Sequence, residues 1–477
     1  MSKIYKVGII GGGVSGVVTA LQLAKYGISN ILFEQEKSVV SGPPFCHLHA
    51  GGNLYPDISD EQCQQLMEQS IEMARLFPPS IDKRPTFISI PKTEAYEVEA
   101  IERRLDMLVA HYEQLVAKDA SNEILGQPQA YYKKYSKEEL LLLKQAPAVK
   151  RPSTSDEWMS NAVKLIDLDQ LKMPVFMVQE YGWNLFRLGA QAQLALENTD
   201  ECTLKLNSEV TSIKDVRQQN LDYNWEIATI DASYKVNYLV NSSGFKSGKI
   251  DDSLNLNTEH LIEFKAAYIS KWQPLPGLIP ELIFHGERGT PHGMAQLTPY
   301  SDDYYQIHGM TNDITLFENG LLQSKGSSER DEFDAAIKQK LQRQWSDEEV
   351  NSRTENAIKF VSKLVPSFQS ARVGGPPLYG AQQIPGDDLR LRVGEVSFPS
   401  NAYARSEIVK ASSALIAANH IIDKILEEAI IPSIDVSSST NFLLDKITKS
   451  DIDRKASELA VQRGYPEALS HLLMDRD

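Results

Sequence analysis

The chain reads as an α/β protein of two domains: a parallel-sheet domain assembled from separated stretches, and an antiparallel-sheet domain inserted into it. Three observations carry this. Residues 6–36 run strand, glycine turn, helix, strand. A late stretch, residues 390–425, again reads as strand followed by helix. Between them, residues 293–317 show the near-alternation of an antiparallel hairpin, with a turn at Ser301-Asp302-Asp303.

The opening stretch is KVGIIGGGVSGVVTALQLAKYGISNILFEQE. Val7, Ile9 and Ile10 favour a strand, which breaks into Gly11-Gly12-Gly13. Val17, Ala20, Leu21 and Ala24 then repeat at helical spacing until Gly27, and Ile31-Leu32-Phe33 forms a second strand ending at Glu34. The glycines differ in what they do. Gly11 makes the tight turn, Gly13 lets a pyrophosphate approach the backbone, and Gly16 lets helix and strand pack closely. The helix start, Val14 and Ser15, offers amide hydrogens to phosphate oxygens. Glu34 is placed to accept from a ribose diol, and its charge disfavours a 2′-phosphate. A merely tight βα turn would not account for Glu34. The unit is therefore Rossmann-like.

A length of 477 residues favours two domains, and 42% apolar with 24% charged residues is ordinary for a globular protein. The net charge of −15 argues against general affinity for nucleic acid or anionic lipid. Cys46, Cys63 and Cys202 form no CxxC, so neither a zinc knuckle nor a redox pair is expected and no metal site is assigned. The expectation is a cytoplasmic protein without signal peptide or transmembrane segment, with peripheral membrane contact left open.

The elements follow in order. Residues 37–57 form a loop too long for punctuation, containing Ser41 and the run His47-Leu48-His49-Ala50-Gly51-Gly52. Residues 58–77 predict a helix, 84–90 a strand, and 94–118 a long amphipathic helix through Val98, Ile101, Leu105, Leu108, Tyr112 and Leu115. Residues 120–160 read as polar and irregular apart from a helical KEELLLL. A helix is expected from residue 179 to about 196, then strands at 203–206, 209–214, 225–230 and 235–240. The last of these ends in Asn241-Ser242-Ser243-Gly244, small residues that let a bound cofactor pass close to the backbone. After residue 432 comes a Ser/Thr-rich linker and a tail of short helices whose purpose is not readable.

The chain resembles FAD-dependent oxidoreductases of the D-amino-acid oxidase type. Three features carry this: the fingerprint Gly11, Gly13, Gly16 and Glu34; the strand ending at Gly244; and residues 366–425 with LRLRVGEVSFPSNAYARSEIVKASSALIAANHIIDKIL. The resemblance implies FAD as cofactor, with Gly11, Gly13, Val14, Ser15, Gly16, Glu34, Gln35, Ser41, Val210, Ser243 and Gly244 along it. His49, Ala50, Gly51, Gly394 and Glu395 belong to the same set. It implies an FAD domain of residues 1–82, 165–252 and 372–430, a substrate domain of 83–164 and 253–371, and a tail of 431–477. Two departures stand out. Gly394-Glu395 replaces a frequent Gly-Asp, and residues 400–405 replace the closing glycine-rich turn. The run His49-Ala50-Gly51-Gly52 is similar to the segment of dimethylglycine and sarcosine dehydrogenases whose histidine binds flavin covalently. Covalent attachment, noncovalent contact and plain loop structure all stay open, and His47 competes for the role.

With one nucleotide fingerprint in the chain, the expected economy is direct reduction of the flavin by a small organic substrate, an amine, amino acid or hydroxy acid. Oxygen, a quinone or a carrier would remove the electrons. Tyr305 or His308 in the hairpin would handle a proton, or else would simply pack the sheet. Arg405 is the anion-binding candidate ahead of the last helix, with Arg84 and Arg372 as further carboxylate clamps. The alternatives are a flavin-binding protein with a structural or interaction role, and an NAD-dependent dehydrogenase.

Overall fold

The computed structural model describes residues 3–42, 51–274, 277–325, 332–431 and 442–475. Two large sheets organise it. The first has the order Glu395–Ser400, Tyr403–Glu407, Ser233–Asn241, Ile4–Ile10, Asn30–Phe33, Cys202–Lys205. Ile4–Ile10 lies parallel to both neighbours, and the register sets Ile10 beside Phe33 on one side and Asn241 on the other. Asn30–Phe33 follows Ile4–Ile10 on one side and the much later Ser233–Asn241 lies on the other, so the strand order reverses there, which is where doubly wound sheets open a crevice for a ligand.

The helix Val14–Lys25 crosses back over this sheet. Val17, Ala20, Leu21 and Ala24 are buried in it, as the spacing predicts. It is sandwiched between the sheet, the helix Leu185–Glu197 and the late helix Ala414–Glu427. Gly16 brings its backbone directly onto the turn: a Cβ there would sit 1.9 Å from the Gly11 carbonyl oxygen.

The second sheet is built on one long strand, Glu259–Lys271. Its first half pairs with Leu378–Pro385 and Leu321–Lys325, its second half with Tyr304–Gly309 and Arg372–Val373. The order continues through Ala295–Pro299, Glu281–Phe284, Thr86–Ser89 and Val175–Val178 to Tyr132–Tyr135. The hairpin expected around residues 293–317 is present as the antiparallel pair Ala295–Pro299 and Tyr304–Gly309.

Three local expectations change. The stretch 120–160 is ordered, with the strand Tyr132–Tyr135 and helices Lys137–Gln145 and Ser155–Val163; Ser136 with Glu139 and Thr154 with Glu157 form capping boxes that start these helices. The helix expected from residue 179 begins at Leu185, because Gly182-Trp183 pairs as a strand with Ile81-Asp82 and Asn184 caps the helix. Residues 400–405 are not the joint between last strand and last helix. Ser400 ends one strand and Tyr403-Ala404-Arg405 begin its antiparallel partner, with the turn at Asn401-Ala402, Ala402 at φ +55°, and the joint falls at 408–413.

Candidate functional site

A cleft of about 1710 Å³ opens at the carboxyl ends of the parallel strands. Gly11, Gly13, Glu34, Gln35, Ser41, Val210, Ser243 and Gly244 line it, so most of the nucleotide-side residues named from the sequence share one wall. It exceeds the about 300–1,000 Å³ of ordinary small-ligand pockets and has room for an extended molecule.

The glycine turn has the geometry its spacing requires. Gly11 has φ +102°, and a Cβ on it would meet the Ser242 carbonyl oxygen at 2.3 Å. Two strand ends thus cross here at a separation that no side chain permits. Gly13 has no heavy atom within 4 Å of where its Cβ would be, so its exposed side is open space. It stands at the N-cap of Val14–Lys25 with no side-chain cap and no acidic residue in the first turn, leaving the positive end of the helix uncompensated. Ser15 is turned from the cleft and bonds Ser406 on the neighbouring strand at 2.5 Å.

Glu34 is 6% exposed. One carboxylate oxygen accepts from the Gly12 amide and the other from the Glu36 amide, both at 2.8 Å, which fixes the side chain at the cleft. Each oxygen keeps acceptor capacity. Burial raises its pKa, while those two amides pull it back down. Lys246 donates to Gln35 at 3.0 Å and brings a cation to the same rim.

Other candidates fall elsewhere. His47, His49 and Ala50 lie outside the described residues. Gly51 has φ +96° and its Cβ would meet the Cys63 carbonyl oxygen at 2.5 Å, so its lack of a side chain answers to helix Asp60–Leu76. The adjoining amides of Gly52 and Asn53 are held by the buried carboxylate of Glu180, which also accepts from Tyr131 at 2.8 Å. Burial pushes the Glu180 carboxyl up to about 7. Gly394 packs against the Ile408 Cα, its amide donates to Ser413, and it is not on the cleft wall. Glu395 begins a strand.

The proton-handling pair separates. In Tyr304–Gly309 successive side chains alternate, so Tyr305 and His308 point to opposite faces. Tyr305 is packed against Trp272 and Phe368, ring centroids 5.4 and 6.4 Å away, in the core behind the sheet. His308 pairs with Gln296 and lies on the face that carries Glu263 and Lys265. Arg405 is 4% exposed and already matched by Asp251 at 2.8 Å and Glu407 at 3.2 Å. An incoming anion would have to displace buried carboxylates from it, so it is not available as a clamp. Arg84 is likewise matched by Glu281 at 2.7 Å, and Arg372 lies exposed on the strand Arg372–Val373.

The face shared by Glu263, Lys265 and His308 holds a cluster that sequence reasoning missed. Glu263 pairs with both Lys265, at 2.9 Å, and Arg288. Arg392 stands close enough to depress Lys265 further after burial has done so, to about 7. The Tyr55 hydroxyl is raised by burial and lowered by Arg392 and Arg288, and among the described residues it has no hydrogen-bond partner. Beside it His285, ring centroid 6.2 Å away, is fully buried, and among the described residues neither of its nitrogens has a partner; burial takes it down to about 3, so it is neutral. Lys265 and Arg288 therefore meet at the Glu263 carboxylate, and Arg392 stands near Lys265, Arg288 and Tyr55 with Asp57 and Asp388 acting on it in turn. Lys265 links the cluster to the first sheet's last strand–helix joint through Gln382, which accepts from Lys265 and donates to the Val409 carbonyl. Its members come from four distant stretches, which the sequence does not bring together.

No protein-family model and no curated protein matches the chain. Solved structures do. Glycine oxidase from Geobacillus kaustophilus matches over 91% of this chain and 98% of its own, with 13% identity and a TM-score of 0.55. L-proline dehydrogenase from P. horikoshii matches over 94% and 99%, with 13% identity and a TM-score of 0.57. The FAD-bound L-α-glycerophosphate oxidase from Mycoplasma pneumoniae matches over 91% and 96%, with 15% identity and a TM-score of 0.56. Identities this low speak for architecture, and the architecture is plain: the chain shares the fold of these structures, a Rossmann-like domain with an inserted antiparallel-sheet domain, D-amino-acid oxidase-like.

Proposed function

We propose that this protein binds FAD and is an oxidoreductase acting on a small organic substrate, an amine, amino acid or hydroxy acid. The observation that carries the reading is the open side of Gly13, set between an uncapped helix start and the Glu34 carboxylate at the sheet's crevice. These groups suit an adenosine diphosphate: amides for the phosphates, a carboxylate for the ribose diol. Gly11, Gly13, Glu34, Ser243 and Gly244 would hold that half. When bound, the flavin supplies hydride acceptance, while the protein supplies position and electrostatics.

The chain's own contribution on the substrate side is the cluster of Tyr55, Lys265, Arg288 and Arg392. The Arg288 and Arg392 guanidiniums near the Tyr55 hydroxyl suit a substrate bearing a carboxylate. Lys265, depressed to about 7, can hold or release a proton near neutrality. The fold's likeness to an amino-acid-type oxidase and to a dehydrogenase supports the reaction class and leaves the electron acceptor open.

The test is an anaerobic screen of amines, amino acids and hydroxy acids against the FAD-loaded protein, watching the flavin band near ~450 nm. Bleaching by a carboxylate-bearing member supports the proposal. A loaded flavin that no member reduces contradicts the oxidoreductase reading and favours a binding role.

A further inference from the structure

Arg463 and Tyr465 tie the tail beyond residue 441 to the nucleotide cleft; Tyr465 donates to the Pro377 carbonyl at 3.1 Å, and Arg463 reaches further, toward the glycine turn. Arg463 follows the helix Lys449–Gln462, which is held to the body by Arg187 with Asp453 at 2.6 Å. From there its guanidinium donates to the carbonyls of Val39 and Val40, both at 2.8 Å, and to the Ser38 hydroxyl at 3.0 Å. Its guanidinium carbon lies over the Phe186 ring, 5.4 Å from the centroid. Arg463, Gly464 and Tyr465 form part of the same cleft wall as Gly13 and Glu34.

The segment it grips is under strain and touches the glycine turn. Val40 has φ +52°, a left-handed conformation that a β-branched residue adopts only when its surroundings impose it. In that conformation its amide donates to the Gly12 carbonyl at 2.7 Å. A contiguous path thus runs from the tail guanidinium through residues 38–40 to the turn on which the phosphates would rest. Three acceptors converging on one planar fork is a demand that arginine meets and lysine does not.

We propose that Arg463 is a positioning residue for the dinucleotide: by holding Val40 in its strained conformation, the tail keeps the Gly11-Gly12-Gly13 turn in the shape that accepts the adenosine diphosphate. The inference rests on the FAD reading above and adds the tail to the binding site.

The test uses the full chain, with FAD and ADP as separate probes. Arg463→Ala should weaken both by at least tenfold while the far-ultraviolet circular dichroism stays that of the wild type. Arg463→Lys should shift in the same direction and serves if the alanine variant does not fold. The deciding variant is Val40→Gly with Arg463→Ala, because glycine adopts φ +52° without the steric strain that valine has there. It should recover at least half of the lost affinity on a logarithmic scale. Unchanged affinity in both Arg463 variants, or no recovery with Val40→Gly, overturns the inference. A wild-type protein that takes up neither probe instead defeats the FAD reading, and this inference with it.

Discussion

The substitution Gly13→Ala separates binding from folding at the centre of the site. Gly13 is the N-cap of Val14–Lys25, with φ −68° and ψ −176°, angles that alanine adopts freely. Its Cβ would have no heavy atom within 4 Å in the ligand-free protein. Folding should therefore lose about 1 kcal/mol or less, the cost of alanine at an N-cap. Binding is another matter, since that space is where the pyrophosphate has to come. Displacing it from one or two amides of the helix start forfeits charge-assisted bonds of about 1.5–3 kcal/mol each. A total near ~3 kcal/mol corresponds to roughly a hundredfold in dissociation constant. The assay pairs thermal unfolding of the apoprotein with FAD titration followed by flavin fluorescence. An alanine variant that binds FAD like the wild type would refute the placement of the phosphates; one that fails to fold would refute the claim of open space.

Other expectations follow from neighbouring geometry. Gly16→Ala should behave oppositely, because its Cβ would lie 1.9 Å from the Gly11 carbonyl oxygen and helix and strand must part; overpacking of this kind costs about 1–3 kcal/mol or more, and apoprotein denaturation should show it even without FAD. Lys265→Met should flatten part of the stability profile. With its folded pKa near 7 against an ordinary 10.5, Lys265 contributes stability that is present above pH 10.5 and is lost as pH falls through 7. The wild type should therefore gain up to about 1.4 kcal/mol per pH unit across that window relative to the variant, in urea titrations from about pH 7 to 10. Arg392→Ala should raise KM for a carboxylate substrate at least tenfold with FAD affinity unchanged, read by steady-state kinetics beside FAD titration; an equal loss for an uncharged analogue would count against a clamp.

What the sequence disclosed, and what it hid, follows from how far apart the cooperating residues are. The nucleotide turn was legible because its parts fall within Gly11 to Glu34, where local spacing alone determines which atoms meet. Gly11 against Ser242, by contrast, depends on a parallel pairing with a strand some 230 residues on, and only the small residues after Asn241 pointed to it. Arg405 looked available beside the last helix because sequence does not reveal that Asp251 and Glu407 are folded against it. Tyr305 and His308 could be placed on one strand but not on the right faces, since that needs the neighbouring strands. The cluster of Tyr55, Lys265, Arg288 and Arg392, and the reach of Arg463 from the tail to Val40, join segments with no mutual signal in sequence. The polar stretch 120–160 was the opposite case: Ser136 to Glu139 and Thr154 to Glu157 announce two helix starts, and the overall polarity obscured them.

Both the proposed chemistry and the role given to the tail require that the crevice between Ile10, Phe33 and Asn241 hold the adenosine diphosphate half of FAD. Equilibrium dialysis of the purified protein against FAD, with Glu34→Ala measured alongside, decides the matter. One FAD per chain and clearly weaker uptake by the variant are expected. No FAD bound by the wild type, or uptake indifferent to Glu34, would contradict that placement.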